Sequence, residues 1–199
     1  MFKTLSVFGV VLLIAIALHW IWITIQYTIA GSLLGKNPFK MIKTMLPAYV
    51  TALGTMSSAA TISVTLPKAK EMGVRDKIAD FVIPLGANIH LSGSAITITS
   101  CSIAVMSVLP EYDTPGLLKM LGFVLLIGVV MVAAPGVPGG AVMAASGILV
   151  SHLGFNEAAV ALMIALYMAQ DSFGTAANIT GDGAIAGIID AYDQSLNNK

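Results

Sequence analysis

Between Leu117 and Leu153 two apolar runs, Leu117–Ala134 and Ala141–Leu153, are separated by Pro135, Gly136, Val137, Pro138, Gly139 and Gly140. Each run is short against the ~20 residues that a spanning helix needs. The break is too rigid and irregular to continue a helix. Non-helical backbone survives at membrane depth only where protein covers it or where it lines a water-filled cavity. The segment therefore predicts a re-entrant hairpin, and with it a bundle that encloses the hairpin tip.

That the setting is a membrane follows from composition. The chain has 199 residues, 57% hydrophobic and 10% charged, with a mean hydropathy of +0.89, far from the roughly quarter-charged make-up of soluble domains. Formal net charge is zero and no polybasic run is present, which removes the electrostatic case for nucleic acid. The single Cys101 forms no internal disulfide, and no Cys/His cluster offers a zinc site.

The run from Met1 to about Leu34 is too long for the 7 to 15 apolar residues, roughly, of a signal peptide core and predicts a spanning helix. His19 and Gln26 inside it read as hydrogen bonders between packed helices. Lysines at 36, 40 and 43 precede a hydroxyl-rich stretch from Leu46 to Pro67, and Lys68, Lys70, Arg75 and Lys77 follow it. Basic clusters on both sides of one segment belong to one compartment under the positive-inside rule, so this segment predicts a first re-entrant hairpin. With Lys199 these make eight of the ten basic residues cytoplasmic.

From about Asp80 to Leu109 a second span carries Pro84, Gly86 and Gly93 around Asn88, His90, Ser92 and Ser94, which predicts an unwound stretch whose freed carbonyls can coordinate a cation. A third span, from about Glu157 to Tyr192, follows the second hairpin. The expected architecture is an all-α integral membrane protein of three spanning helices and two re-entrant hairpins in an inverted repeat. Its parts are a transmembrane helix over 1–35, a first hairpin with the unwound helix over 36–109, and a second hairpin with a polar helix over 110–199. Paired interrupted segments of this kind point to a transport site at the midplane between repeats.

The last span supplies the chemistry. Asp171, Thr175, Asn178 and Asp182 stand at i, i+4, i+7 and i+11, so they fall within about 60° of one another on one helix face. Intramembrane carboxylates mark ion pathways, proton relays or binding sites. Asp182, the Asn178 amide and unwound carbonyls near Gly86 to Ser92 are hard oxygen ligands suited to an alkali cation. Asp171, about 16 Å along the axis, could hold the ammonium group of an amino acid through charge-assisted hydrogen bonds. The same separation excludes an aspartyl protease, whose carboxyls share a proton at about 3 Å.

Four ordered strings, SSAATISVTLPKAKEMGV, IPLGANIHLSGSA, PGVPGG and DSFGTAANITGD, resemble the hairpin tips, unwound motif and terminal motif of the dicarboxylate/amino acid:cation symporters, the family that includes the glutamate transporters. The resemblance implies the elevator-type transport domain of a homotrimer in the plasma membrane, multi-pass, with several further spans and a trimerisation scaffold before the first hairpin that this sequence lacks. It implies substrate contacts at Ser57, Ser58, Ser94, Gly136, Val137, Asp171, Gly174, Thr175 and Asn178, with Gly136 to Gly139 as the gate. It implies one sodium site at Asp182, Asn178 and the carbonyls of Gly86 and His90, and another at the carbonyls of Met131, Val132 and Ala134. Members that carry acidic substrates have an arginine where this chain has Gly174, and some have one where it has Met56. A second substrate carboxylate would be buried here without a guanidinium partner, so the expected cargo is a neutral amino acid, with room for its side chain at Gly174. The family's aspartate and asparagine in the unwound motif correspond to Ser92 and His90, which raises proton coupling through His90 as an alternative to Na+. Symport of an acidic amino acid or C4-dicarboxylate stays open beside this, as does a non-functional truncated remnant.

Overall fold

The computed structural model describes residues 2–113 and 115–197; Met1, placed in the first span, and Lys199, placed with the cytoplasmic basic residues, lie outside them. The described residues form nine α-helices and no strand: α1 Phe2–Leu34, α2 Pro38–Thr55, α3 Ser58–Glu71, α4 Asp76–Ile89, α5 Ser92–Val108, α6 Leu117–Met131, α7 Gly140–Leu153, α8 Glu157–Met168 and α9 Asp171–Asn197.

Local chemistry fixes the helix ends. Pro38 opens α2 at a position where its missing N–H costs nothing, and the Asn37 side chain accepts from Phe39 N at 2.9 Å and Lys40 N at 3.2 Å. Ser57 caps α3 by accepting from Ala60 N at 3.2 Å. Between these two helices Met56 adopts φ 49°, the one non-glycine residue described with positive φ, a conformation that strains an L side chain. Glycine accommodates the other such turns, at Gly35, Gly73, Gly139 and Gly154.

Two apolar cores result. Ile23, Met45, Ile83 and Ile179 belong to one, built from α1 to α4 with α9. Phe123, Ile127, Leu149, Met163 and Tyr167 belong to the other, built from α5 to α8. Helix α9 touches α1, α2, α3, α4 and α5, and small residues on it allow the close approach. A Cβ on Gly183 would stand 2.7 Å from the Tyr27 hydroxyl and 2.8 Å from Met45 Cε, and one on Gly187 would stand 3.2 Å from Leu34. At the lower end of α9 the fully buried Asp190 accepts from Arg75 Nε at 2.6 Å, while Arg75 Nη2 reaches Asp193 at 2.7 Å.

Ser6–Leu34 and Asp76–Val108 are long and apolar enough to cross a membrane. Of the first, only 17% of its most apolar window is covered by protein, and Leu13, Ile21, Ile29 and Leu33 stand exposed along it. That surface is tolerated only against lipid or another apolar partner. The helices on either side of the PGVPGG break are 15 and 14 residues long; α6 ends at Met131, before the expected end at Ala134, and α7 begins at Gly140 rather than Ala141.

Three further boundaries differ from the sequence reading. The first helix pair runs from Pro38 to Glu71, wider than 46–67, because the Asn37–Pro38 cap starts α2 well before its apolar part. The second span unwinds only at His90 and Leu91; Pro84, Gly86 and Gly93 stay helical. The third is not one straight helix but α8 and α9, bent by 60° at Ala169–Gln170. No proline marks that bend; the Gln170 carbonyl instead accepts from Phe173 N at 3.0 Å as a new helix begins at Asp171.

Candidate functional site

The two helix-pair tips meet each other. Gly136 O, in the tip between α6 and α7, accepts from Ser57 Oγ at 2.9 Å and from Ala59 N at 3.1 Å, both at the start of α3. A Cβ on Gly136 would lie 2.3 Å from Ala87 O and 3.4 Å from Ser58 Cβ, so only glycine permits this contact. Beneath it Asp171, first residue of α9, accepts from Gly139 N at 2.7 Å through Oδ2 and from Thr175 Oγ1 at 3.4 Å through Oδ1. The carboxylate thus ties the second tip to α9 with a charge-assisted bond.

These contacts border a small cavity of about 10 Å³, room for about one water. Seven of the residues expected at the substrate line it: Ser58, Ser94, Gly136, Val137, Asp171, Thr175 and Asn178. Asp171 is the one charged residue of the lining. Ser57 does not line the cavity; its hydroxyl is committed to Gly136 and to the cap of α3. Gly174 does not line it either. A Cβ there would lie 3.0 Å from Thr97 Oγ1 and 3.5 Å from Gly93, so Gly174 is the face on which α9 packs against α5. The expected room for a substrate side chain at this position is absent.

Asn178 is buried and bonded to its limit on one side. Its Oδ1 accepts from Gly93 N at 2.7 Å and Ser94 N at 3.2 Å, and its Nδ2 donates to Ser94 Oγ at 2.9 Å. No side chain of α5 itself caps those N–H groups, so α9 supplies the cap across the interface. Tyr167, missed in the sequence, is 1% exposed, lines the cavity and donates from its hydroxyl to the same Ser94 Oγ at 3.1 Å. It stands one turn before Asp171 in the chain, so extending the stripe upward by four residues would have found it. Met56, singled out only for its lack of charge, also lines the cavity.

Of the expected cation residues, His90 and Gly86 stand beside Asp182, which is 1% exposed. Its Oδ1 lies 2.9 Å from His90 Nδ1. A buried carboxylate without Lys or Arg thus finds an imidazole partner. The Gly86 carbonyl accepts from His90 N at 2.8 Å, and a Cβ on Gly86 would lie 2.8 Å from Asp182 Oδ1. Asn178 is one turn away on α9 but turned to α5. Met131 and Ala134 are buried at the end of α6, whereas the Val132 side chain is exposed. Met131 lines a groove with His90 and Ser92, to whose lining Asp182 does not contribute.

A small cavity between two helix-pair tips, lined by one carboxylate and with a second buried a few turns below, defines an all-helical membrane protein built around a polar site. The chain matches the sodium:dicarboxylate symporter family over residues 1–192, and it belongs to that family. It is 32% identical over 194 residues to excitatory amino acid transporter 3 of Oryctolagus cuniculus, a match covering 95% of this chain and 35% of that protein. It is 31% identical over 190 residues to the human protein of the same name, with 95% and 35% covered. Against the neutral amino acid transporter B(0) of Bos taurus it is 27% identical over 158 residues, with 79% and 29% covered. The chain spans about a third of the length of the curated relatives it matches. These relatives are transporters, not enzymes.

Proposed function

We propose that this chain carries the substrate- and ion-binding part of a secondary active symporter that moves a neutral amino acid on a sodium gradient. One observation carries the reading: Asp171 is the single charge lining a cavity that both helix-pair tips border. An ammonium group in place of the Gly139 N–H would donate a charge-assisted hydrogen bond to that carboxylate. With no cation in the lining, a second carboxylate on the substrate would lack compensation, which favours a neutral side chain and disfavours aspartate.

In this reading α2–α3 and α6–α7 are re-entrant hairpins, α1, α4–α5 and α8–α9 are the spans, and the parts 1–35, 36–109 and 110–199 act together as an elevator-type domain of a trimer in the plasma membrane. Ser58, Ser94, Thr175, Asn178, Gly136 and Val137 surround the substrate, with Ser57 holding the tip. Asp182, beside Gly86 and His90, takes one sodium ion; the backbone carbonyls at the end of α6, at Met131, Val132 and Ala134, take another, the Met131 carbonyl already accepting from Ala134 N at 3.4 Å.

The test is uptake of labelled serine and labelled aspartate into proteoliposomes containing the purified chain, under an imposed sodium gradient and then a proton gradient. Sodium-driven serine uptake that disappears in Asp171→Asn is expected. Uptake of aspartate would overturn the neutral-substrate reading, proton-driven uptake without sodium would overturn the ion assignment, and no uptake under either gradient would overturn transport by this chain.

A further inference from the structure

Gln26 sits three-quarters of the way along the apolar helix α1, where the sequence suggests only a bond between packed helices. The fold gives it a more specific neighbour. Gln26 is 4% exposed, and its Nε2 lies 3.0 Å from Nε2 of His90. The other ring nitrogen of His90, Nδ1, lies 2.9 Å from Asp182 Oδ1. A row of three polar side chains, buried at Gln26 and Asp182 and half-buried at His90, therefore links α1, the unwound end of α4, and α9.

Hydrogen-bond chemistry gives the row a direction. A carboxylate oxygen only accepts, so Nδ1 carries the hydrogen; Nε2 of the neutral ring is then an acceptor, and the Gln26 amide nitrogen is the donor it meets. The packing is built around this arrangement. A Cβ on Gly181 would lie 2.6 Å from His90 Cε1 and 2.8 Å from Gln26 Oε1, and one on Gly86 would lie 2.8 Å from Asp182 Oδ1. Two glycines on two helices thus leave the row the space it fills. Asp182 Oδ2 is buried and has no hydrogen-bond partner among the described residues. A carboxylate oxygen buried in that way is open to a hydrogen-bond donor or a cation.

We propose that Gln26 is a positioning residue of the coupling-cation site: it fixes the His90 ring so that Nδ1–H ties down Asp182 Oδ1 and Oδ2 is presented to the cation. The proposal rests on the sodium-symport reading of Asp182 and adds to it a residue from α1 and a division of labour between the two carboxylate oxygens.

The test is thermal unfolding of the purified chain in detergent at rising NaCl, with choline chloride holding total salt constant, for the wild type, Gln26→Met, His90→Asn and the double variant. Sodium should raise the wild-type Tm saturably. Gln26→Met should move the sodium midpoint up by about fivefold, as expected for one buried hydrogen bond lost, and should have no further effect once His90 is Asn, because Gln26 acts through the ring. Gln26→Asn keeps an amide but is too short to reach the ring, and should shift the midpoint in the same direction even where the methionine variant is recovered unfolded. A lower Tm with an unmoved sodium midpoint, or additive effects in the double variant, would show that Gln26 serves packing alone and overturn the proposal. A wild type whose Tm does not respond to sodium would overturn the cation reading itself, and the proposal with it.

Discussion

Replacing Gly136 by Ala probes the contact between the two tips at its tightest point. The added Cβ would lie 2.3 Å from Ala87 O, a separation that real Cβ atoms do not adopt, and the obstacle is backbone in a helix rather than the end of a flexible side chain. The tip must therefore lift, and in lifting it gives up the bonds from Ser57 Oγ at 2.9 Å and Ala59 N at 3.1 Å. Each buried bond contributes about 1 kcal/mol, so the closed arrangement loses about 2 kcal/mol, or about 30-fold in its equilibrium against an open one. Substrate affinity that depends on closure should weaken by that factor, read as the KM for serine uptake at saturating sodium. Ser57→Ala removes one of the two bonds and should weaken affinity by about fivefold, with an added fall in Tm because the α3 cap goes too. A KM in Gly136→Ala within about twofold of the wild type would refute the reasoning, since about 0.4 kcal/mol is too little for either bond. It would mean that the tips part as easily as they meet.

Gly174→Ala should destabilise the chain by about 1 to 3 kcal/mol, an overpacking cost, because its Cβ would stand 3.0 Å from Thr97 Oγ1; an unchanged midpoint of thermal unfolding would contradict the packing described for α5 and α9. For the same reason Gly174→Arg should fail to confer aspartate uptake. Tyr167→Phe should raise the serine KM by about fivefold through loss of the bond to Ser94, while the unfolding temperature changes little. Arg75→Ala leaves the buried Asp190 carboxylate without its ion partner and should lower Tm more than Asp193→Ala does. Hydrogen bonds from Arg75 to Asp190 and Asp193 push the guanidinium further above its ordinary value. A base raised in the fold keeps its contribution below its unfolded pKa and loses it only above the folded one, so the deficit in Arg75→Ala, measured by scanning calorimetry, should be equal at about pH 6 and about pH 9.

The sequence by itself determined the parts that depend on local chemistry and on the bilayer as solvent. Apolar length marked Phe2–Leu34 as a helix, the PGVPGG break separated α6 from α7, and helical periodicity placed Asp171, Thr175, Asn178 and Asp182 on one face of α9. These follow from rules that act within a few residues. It did not determine the 60° bend before Asp171, because no proline or glycine marks it; at the bend Asp171 accepts from Gly139 N and Gln170 Nε2 donates to Cys101 Sγ, partners distant in the chain. Nor did it show that Gly174 faces a neighbouring helix, since a glycine on a polar stripe looks the same whether it borders a cavity or a backbone. Which oxygen of Asp182 is tied down, and that Gln26 stands 64 residues from the ring it holds, were decided only by tertiary structure. A hydrogen bond is specified by two partners, and residues distant in the chain acquire each other only when the packed helices leave no other place for them.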